Sequence, residues 1–197
     1  MMRTLGLLAL PFAALLVAGL LLVSCQSANV SLERVAEFEK AVATAAGSGP
    51  AAGSQAEREA IARVKDFLSS LTPENVQART SEVYAANAYF NDTLKTLRGS
   101  EEIEAYLLHT AKTVDGISVE FDDVARSGPD FYFRWRMDFQ APKLRGGDTI
   151  RTIGMTQIRF DADGKVILHQ DYWDSMAGLF EHLPVTNQMA DLVRSKL

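Results

Sequence analysis

Hydrophobic and polar positions divide the chain into a helical first half and a strand-rich second half. Ile61, Val64, Phe67, Leu68 and Leu71 recur at helical spacing and predict a helix with one buried face. Ser54-Gln55-Ala56-Glu57 ahead of them fits a capping box, in which the Ser54 hydroxyl accepts from the Glu57 amide. Thr72-Pro73-Glu74 stops this helix and starts another, with Thr72 as N-cap and Pro73 at the first position, ending near Tyr84. Ala88–Asn91 and Leu94–Arg98 read as two short strands around Asp92-Thr93. A third helix opens at Gly99 with Ser100 as its cap. Glu101 and Glu102 sit in its first turn, where the helix dipole favours them, and Ile103, Tyr106, Leu107 and Thr110 form its buried stripe.

Alternation with period two then takes over. Ile117, Val119 and Phe121 mark a half-buried strand. Phe131–Gln140 alternates most clearly: Phe131, Phe133, Trp135, Met137 and Phe139 face one way, and Tyr132, Arg134, Arg136 and Asp138 face the other. Ala141–Asp148 reads as a loop. Thr149–Phe160 and Val166–Trp173 follow as a hairpin around Asp161-Ala162-Asp163-Gly164, where Gly164 is free to take a positive φ. On the second strand His169, Asp171 and Trp173 alternate, so all three share a face. A histidine, a carboxylate and a tryptophan facing one way suit the floor of a pocket better than a plain core. Met176, Leu179, Phe180 and Leu183 suggest a helix closed by Pro184, and Asn187–Lys196 a last one. Helices first and strands after is an α+β order, and a sheet curved over the early helices would enclose a cavity lined by the Phe131–Phe139 stripe.

Composition narrows the classes. An apolar fraction of 47% supplies a real core without the runs of a multi-span membrane protein. Apart from Arg3 the chain holds 19 basic against 25 acidic residues, and no basic cluster with interleaved aromatics, so nucleic acid is not an expected partner. One cysteine and three histidines (His109, His169, His182) exclude an internal disulfide and a thiolate metal site, and no spacing supports a His/carboxylate one. No metal and no cofactor is expected.

The N-terminus reads as a targeting segment. Arg3 precedes an almost wholly apolar run, Leu5–Leu22, and small residues follow. Leu22-Val23-Ser24-Cys25 resembles the bacterial lipobox, which implies that residues 1–24 are a signal peptide and that Cys25 is acylated and becomes the first mature residue. An uncleaved anchor helix is the alternative, since the run borders on spanning length. Either way the protein belongs in the bacterial cell envelope, on the periplasmic or extracellular side of a membrane. Gln26, where an Asp would favour inner-membrane retention, gives outer-membrane sorting as the expectation. Residues 25–53 read as a tether, with a short helix over Ser31–Ala46 and a linker at Gly47–Gly53; the domain proper is expected over 54–174, and 175–197 as a helical extension.

Several segments, in order, resemble the nuclear transport factor 2-like superfamily and its SnoaL-like branch. They are Val83-Tyr84-Ala85-Ala86-Asn87-Ala88-Tyr89-Phe90-Asn91-Asp92, Leu97-Arg98-Gly99-Ser100-Glu101-Glu102-Ile103, Phe133-Arg134-Trp135, Ile158–Val166 and Asp171-Tyr172-Trp173-Asp174. The resemblance implies a cone of N-terminal helices wrapped by a curved antiparallel sheet, with the pocket in its mouth. It implies no reaction, because the superfamily holds isomerases, cyclases, dehydratases, hydrolases and non-catalytic binders. Asp92 falls where ketosteroid isomerase keeps its general base. The oxyanion-hole Asp of that enzyme falls on Thr156 and its Tyr near Leu68, so neither donor is kept and steroid isomerisation is not expected.

Two readings remain. In the first, a membrane-tethered domain binds a small apolar ligand, with Trp135, Thr156, Trp173 and Phe133 around it. In the second, Asp92, His169 and Asp171 do acid–base chemistry on a carbonyl, enol or epoxide. Against the second stands the plain alternative that both carboxylates satisfy buried polar groups and His169 is a hydrogen-bonded core histidine. Ile153 and Met155 between Arg151 and Gln157 give the outer sheet face a mixed character that leaves a homodimer open.

Overall fold

A computed structural model describes residues 32–45, 49–141 and 147–196 of the 197. The segment expected to be a signal peptide, Cys25, the start of the glycine-rich linker and most of the loop after Gln140 lie outside the described residues. Contacts divide the chain into two units, Met1–Thr44 and Ala45–Leu197. In the first, residues 32–44 form helix α1, on which Leu32 and Val35 are exposed. Among the described residues no helix is long and apolar enough to cross a membrane.

The second unit opens with α2 (Gln55–Ser69) and α3 (Pro73–Val83), and both starts follow the capping chemistry of their sequences. Glu57 N donates to Ser54 Oγ at 3.1 Å and Asn75 N to Thr72 Oγ1 at 3.2 Å. Chain direction then changes within one peptide, because Tyr84 is at once the C-cap of α3 and the first residue of β1 (Tyr84–Asn91). This strand is longer than its sequence suggested. Its first half, Tyr84-Ala85-Ala86-Asn87, lacks the β-branched residues that advertise a strand. After β2 (Thr96–Arg98) comes α4 (Gly99–Thr113). Ser100 does not cap α4: the N-cap is Arg98, and the Glu102 carboxylate accepts from the Arg98 amide at 3.0 Å. Glu102 thus reaches back to the N-cap amide from one position beyond that of a capping box.

Four long strands follow: β3 (Asp115–Ser127), β4 (Asp130–Gln140), β5 (Thr149–Phe160) and β6 (Val166–Trp173). The six-stranded sheet has the order β2-β1-β6-β5-β4-β3. All pairings are antiparallel except β1 with β6, which are parallel and bring Phe90 level with His169. Register shifts in β3 and near the start of β6 mark the irregularities that help a sheet curve. The concave face packs on the helices. Val64 and Phe67 of α2, Val76 of α3, and Ile103 and Leu107 of α4 meet Phe90, Phe131, Phe133, Ile158 and Phe160 of the sheet. Fully burying one such side chain contributes about 1.5–3 kcal/mol. A four-residue helix, α5 (Ser175–Gly178), a 3₁₀ turn (Phe180–His182) and α6 (Pro184–Arg194) complete the chain. Pro184 therefore opens the last helix, at the first-turn position proline favours.

The opposite sheet face carries cross-strand ion pairs: Arg134 with Asp123, Arg136 with Asp122, and Arg151 with Asp138. These are exposed, and screening leaves them little net effect on stability. Asp130 and Arg159 differ. They are register partners, their side chains are only 13% and 7% exposed, and the guanidinium grips the carboxylate at 2.8 and 3.1 Å. Removing the Asp130 carboxylate takes both of these charge-assisted hydrogen bonds from the buried guanidinium. Asp130→Ala is expected to lower the unfolding free energy by about 3 kcal/mol. Asp123→Ala is expected to leave it within error, and urea denaturation of the two variants checks the contrast.

Candidate functional site

Between the concave sheet face and α2 to α4 lies a cavity of about 240 Å³. Its wall is largely apolar: Leu68 from the end of α2 and Leu71 just after it, Leu107 from α4, Val119 and Phe121 from β3, and Trp135, Met137 and Phe139 from β4. The alternation of β6 delivers His169, Asp171 and Trp173 to this wall together. Register then places Thr156 of β5 opposite Asp171, and Gly154 opposite both Trp173 and Trp135.

A chain of hydrogen bonds runs through the polar part of the wall. Trp135 Nε1 donates to Thr156 Oγ1 at 2.8 Å, and Thr156 Oγ1 donates to Asp171 Oδ1 at 2.5 Å. His169 Nε2 stands 3.0 Å from the same oxygen, and His169 Nδ1 stands 3.0 Å from the Tyr84 hydroxyl. Directions follow from the donors available. The indole can only donate, so the Thr156 hydrogen goes to Asp171. Burial, and secondarily the Asp171 charge, push the Tyr84 phenol well above its ordinary titration range, so it keeps its proton. The Tyr84 hydroxyl donates to Nδ1, which leaves the imidazole proton on Nε2, pointing at Asp171. Asp171 Oδ1 thus receives two hydrogen bonds, while Oδ2 receives none from the described residues. The Phe90 ring lies 4.4 Å from the imidazole, centroid to centroid, and covers it.

Asp92 also lines the cavity, but its oxygens are already occupied. Oδ1 accepts the amides of Leu94 and Lys95 at 2.9 and 2.8 Å, which builds the β1–β2 turn. Oδ2 accepts the hydroxyl of Tyr106, whose phenol is raised above its usual range by burial and by this bond. Thr93 takes a positive φ of 75° in the same turn, a conformation that costs a residue with a Cβ about 1–2 kcal/mol. The Trp173 indole offsets that by donating to Asp92 O at 2.9 Å and to Thr93 Oγ1 at 2.6 Å. Trp173 therefore ties the end of β6 to the turn after β1.

The structure brings six of the expected site residues to one cavity: Asp92, His169, Asp171, Trp135, Thr156 and Trp173. Phe133 is not among its lining residues. It points to the same sheet face, but deeper, where it is wholly buried and meets Phe121 edge-on at 5.9 Å. Cys25 lies outside the described residues. Among those residues no group of three or more His, Asp or Glu converges as metal ligands.

Four further residues shape the site without having shown themselves in the sequence. Tyr84 and Tyr106 read as packing residues, because hydroxyl partners 85 and 14 positions away, on other elements, leave no periodic trace. Gly154 lets the two tryptophans approach: a Cβ there would stand 2.4 Å from the Trp135 ring and 2.7 Å from Trp173 Cβ. Gly178 does the same for α5, where a Cβ would stand 2.4 Å from the Trp173 ring, and the next residue, Leu179, lines the cavity.

Known proteins share this architecture. A putative SnoaL-like polyketide cyclase from Jannaschia superposes with a TM-score of 0.54 at 16% identity, covering 66% of this chain and 94% of its own. An LEH-like epoxide hydrolase from M. tuberculosis gives 0.52 at 19%, covering 70% and 98%. A hypothetical protein with a ketosteroid isomerase-like fold from Catenulispora acidiphila, solved in complex with trimethylamine, gives 0.54 at 15%, covering 63% and 92%. At such identities the likeness carries the fold and not the chemistry. Comparison with curated proteins finds no match. A sequence model of the SnoaL-like domain matches residues 64–169. That span runs from α2 through His169 and covers more than half of the chain, which therefore belongs to the SnoaL-like domain family.

Proposed function

We propose that this chain is a SnoaL-like domain held at a bacterial envelope membrane through an acylated Cys25, and that its cavity binds a small, mostly apolar molecule. The observation that carries the binding reading is a largely apolar cavity of about 240 Å³ with a polar patch made by Asp171, His169 and Thr156. Pockets for drug-sized ligands run about 300–1,000 Å³, so the occupant is smaller than those. Apolar burial supplies its affinity, and Asp171 fixes its orientation.

A specific observation also favours the catalytic reading. Asp171 Oδ1 is held by two donors while Oδ2 is left for whatever enters, and a neutral imidazole oriented by Tyr84 stands beside it. In that reading Asp171 accepts a proton from the substrate, and the Nε2–H of His169 steadies the carboxylate before the transfer. Asp92, with both oxygens engaged, acts by fixing Tyr106 and the β1–β2 turn.

Three outcomes test these proposals. Native mass spectrometry of the full chain released in mild detergent is expected to show a co-purified small molecule. Trp173→Ala is expected to lose it, with retention weakened by about tenfold or more; a chain that carries nothing and takes up no apolar probe would end the binding proposal. In a screen of epoxide, enol and carbonyl substrates, Asp171→Asn is expected to cut turnover by about 10²–10⁴-fold while the melting temperature stays at or above wild type. Equal turnover by the variant would remove Asp171 from the chemistry. Metabolic labelling with palmitate is expected to mark the wild type and not Cys25→Ala, and an unlabelled wild type would refute the anchor.

A further inference from the structure

The charges around the cavity are one-sided. Two carboxylates, Asp92 and Asp171, line it, and among the described residues no lysine or arginine does. Arg134, Arg136 and Arg151 of the neighbouring strands point to the other sheet face and are engaged there by Asp123, Asp122 and Asp138. His169 does not offset the imbalance. The Tyr84 hydroxyl has His169 Nδ1 as its hydrogen-bond partner and is buried, so it must donate there. The ring is then neutral and spends its one proton on Asp171 Oδ1.

The two carboxylates are not equivalent toward a ligand. Asp92 is consumed by two backbone amides and the Tyr106 hydroxyl. Asp171 keeps Oδ2 as an acceptor beside the cavity. Around it stand the rings of Phe90, Tyr106, Phe121, Trp135, Phe139 and Trp173. Aromatic rings carry negative faces and attract organic cations, most strongly where water is excluded. An anionic ligand would meet two like charges with no compensating base. A neutral hydrocarbon would leave the Asp171 acceptor facing an apolar group, at the cost of an unmade hydrogen bond.

We propose that the cavity selects a small alkylammonium ligand, a protonated secondary or tertiary amine whose N–H donates to Asp171 Oδ2 while its alkyl groups lie among Trp135, Trp173, Tyr106 and Phe90. This rests on the reading of the cavity as a ligand site and adds the chemical class of the occupant. The aromatic wall provides the apolar contact, the carboxylate provides direction, and the two lining acids disfavour carboxylic acids and phosphates.

The test compares three probes of one shape on the full wild-type chain near neutral pH: N,N-dimethylcyclohexylamine, cyclohexylmethanol and cyclohexanecarboxylate. Calorimetry or quenching of the tryptophan fluorescence reads the affinity. The amine is expected to bind about tenfold or more tighter than the alcohol, the size of one charge-assisted hydrogen bond. The carboxylate is expected not to bind detectably. Asp171→Asn is expected to bring the amine down to the level of the alcohol. If the alcohol binds and the amine binds no better, the amine proposal fails while the ligand-site reading stands. If none of the three binds, both fail. If Asp171→Asn binds the amine as tightly as wild type, the assignment to Asp171 is overturned. The wild-type comparison of the three probes decides the class even where the variant does not fold.

Discussion

A carboxylate placed against an apolar wall must be held by donors, and that requirement organises this domain. Asp171 is held by a hydroxyl from β5 and an imidazole from its own strand. The hydroxyl is aimed by an indole from β4, and the imidazole by a phenol from the start of β1. Four strands of the sheet thus contribute to one line of hydrogen bonds. A slip of β6 by a single residue against β5 would turn His169 and Asp171 together away from Thr156, because side chains alternate along a strand. The tryptophan and phenylalanine stripe of β4 and the parallel seating of β1 beside β6 serve the same end. They bring Trp135 and Phe90 to the two sides of the polar patch.

The two acids of the cavity show how similar residues part company. Asp92 and Asp171 both face the same space. One sits in a turn, where backbone amides are in supply and take both its oxygens with the help of Tyr106. The other sits mid-strand, where the backbone donors belong to the sheet ladder and only side chains are available. The turn acid is therefore a structural fixture that also strains Thr93, and the strand acid retains an unshared oxygen. Trp173 links the two by donating its indole hydrogen into the turn.

Much of this was legible in the sequence, and for identifiable reasons. The period-two stripe Phe131–Phe139 and the spacing of His169, Asp171 and Trp173 fix which way side chains point without any knowledge of partners. The Ser54 and Thr72 caps are local, and local chemistry reads directly. What escaped depends on distant neighbours. Tyr84 looks like another core aromatic until β1 lies beside β6. Phe133 looks like a pocket residue until the helices close over the inner end of the stripe and leave only Trp135, Met137 and Phe139 on the cavity. Ser100 looks like a cap, yet the N-cap of α4 falls two residues earlier, on Arg98, and leaves the Ser100 hydroxyl without that task.

Gly154 gives the cavity its calibre. Trp135 and Trp173 come from strands on either side of β5 and meet across the one position on that strand with no side chain. The spacing of the two indoles is thus set by a missing methyl group. Every replacement at that site adds atoms, and the displaced indoles could only move into the cavity or apart at the expense of their own anchoring bonds. The volume of the cavity can therefore change at this one position while the polar patch beneath stays unaltered.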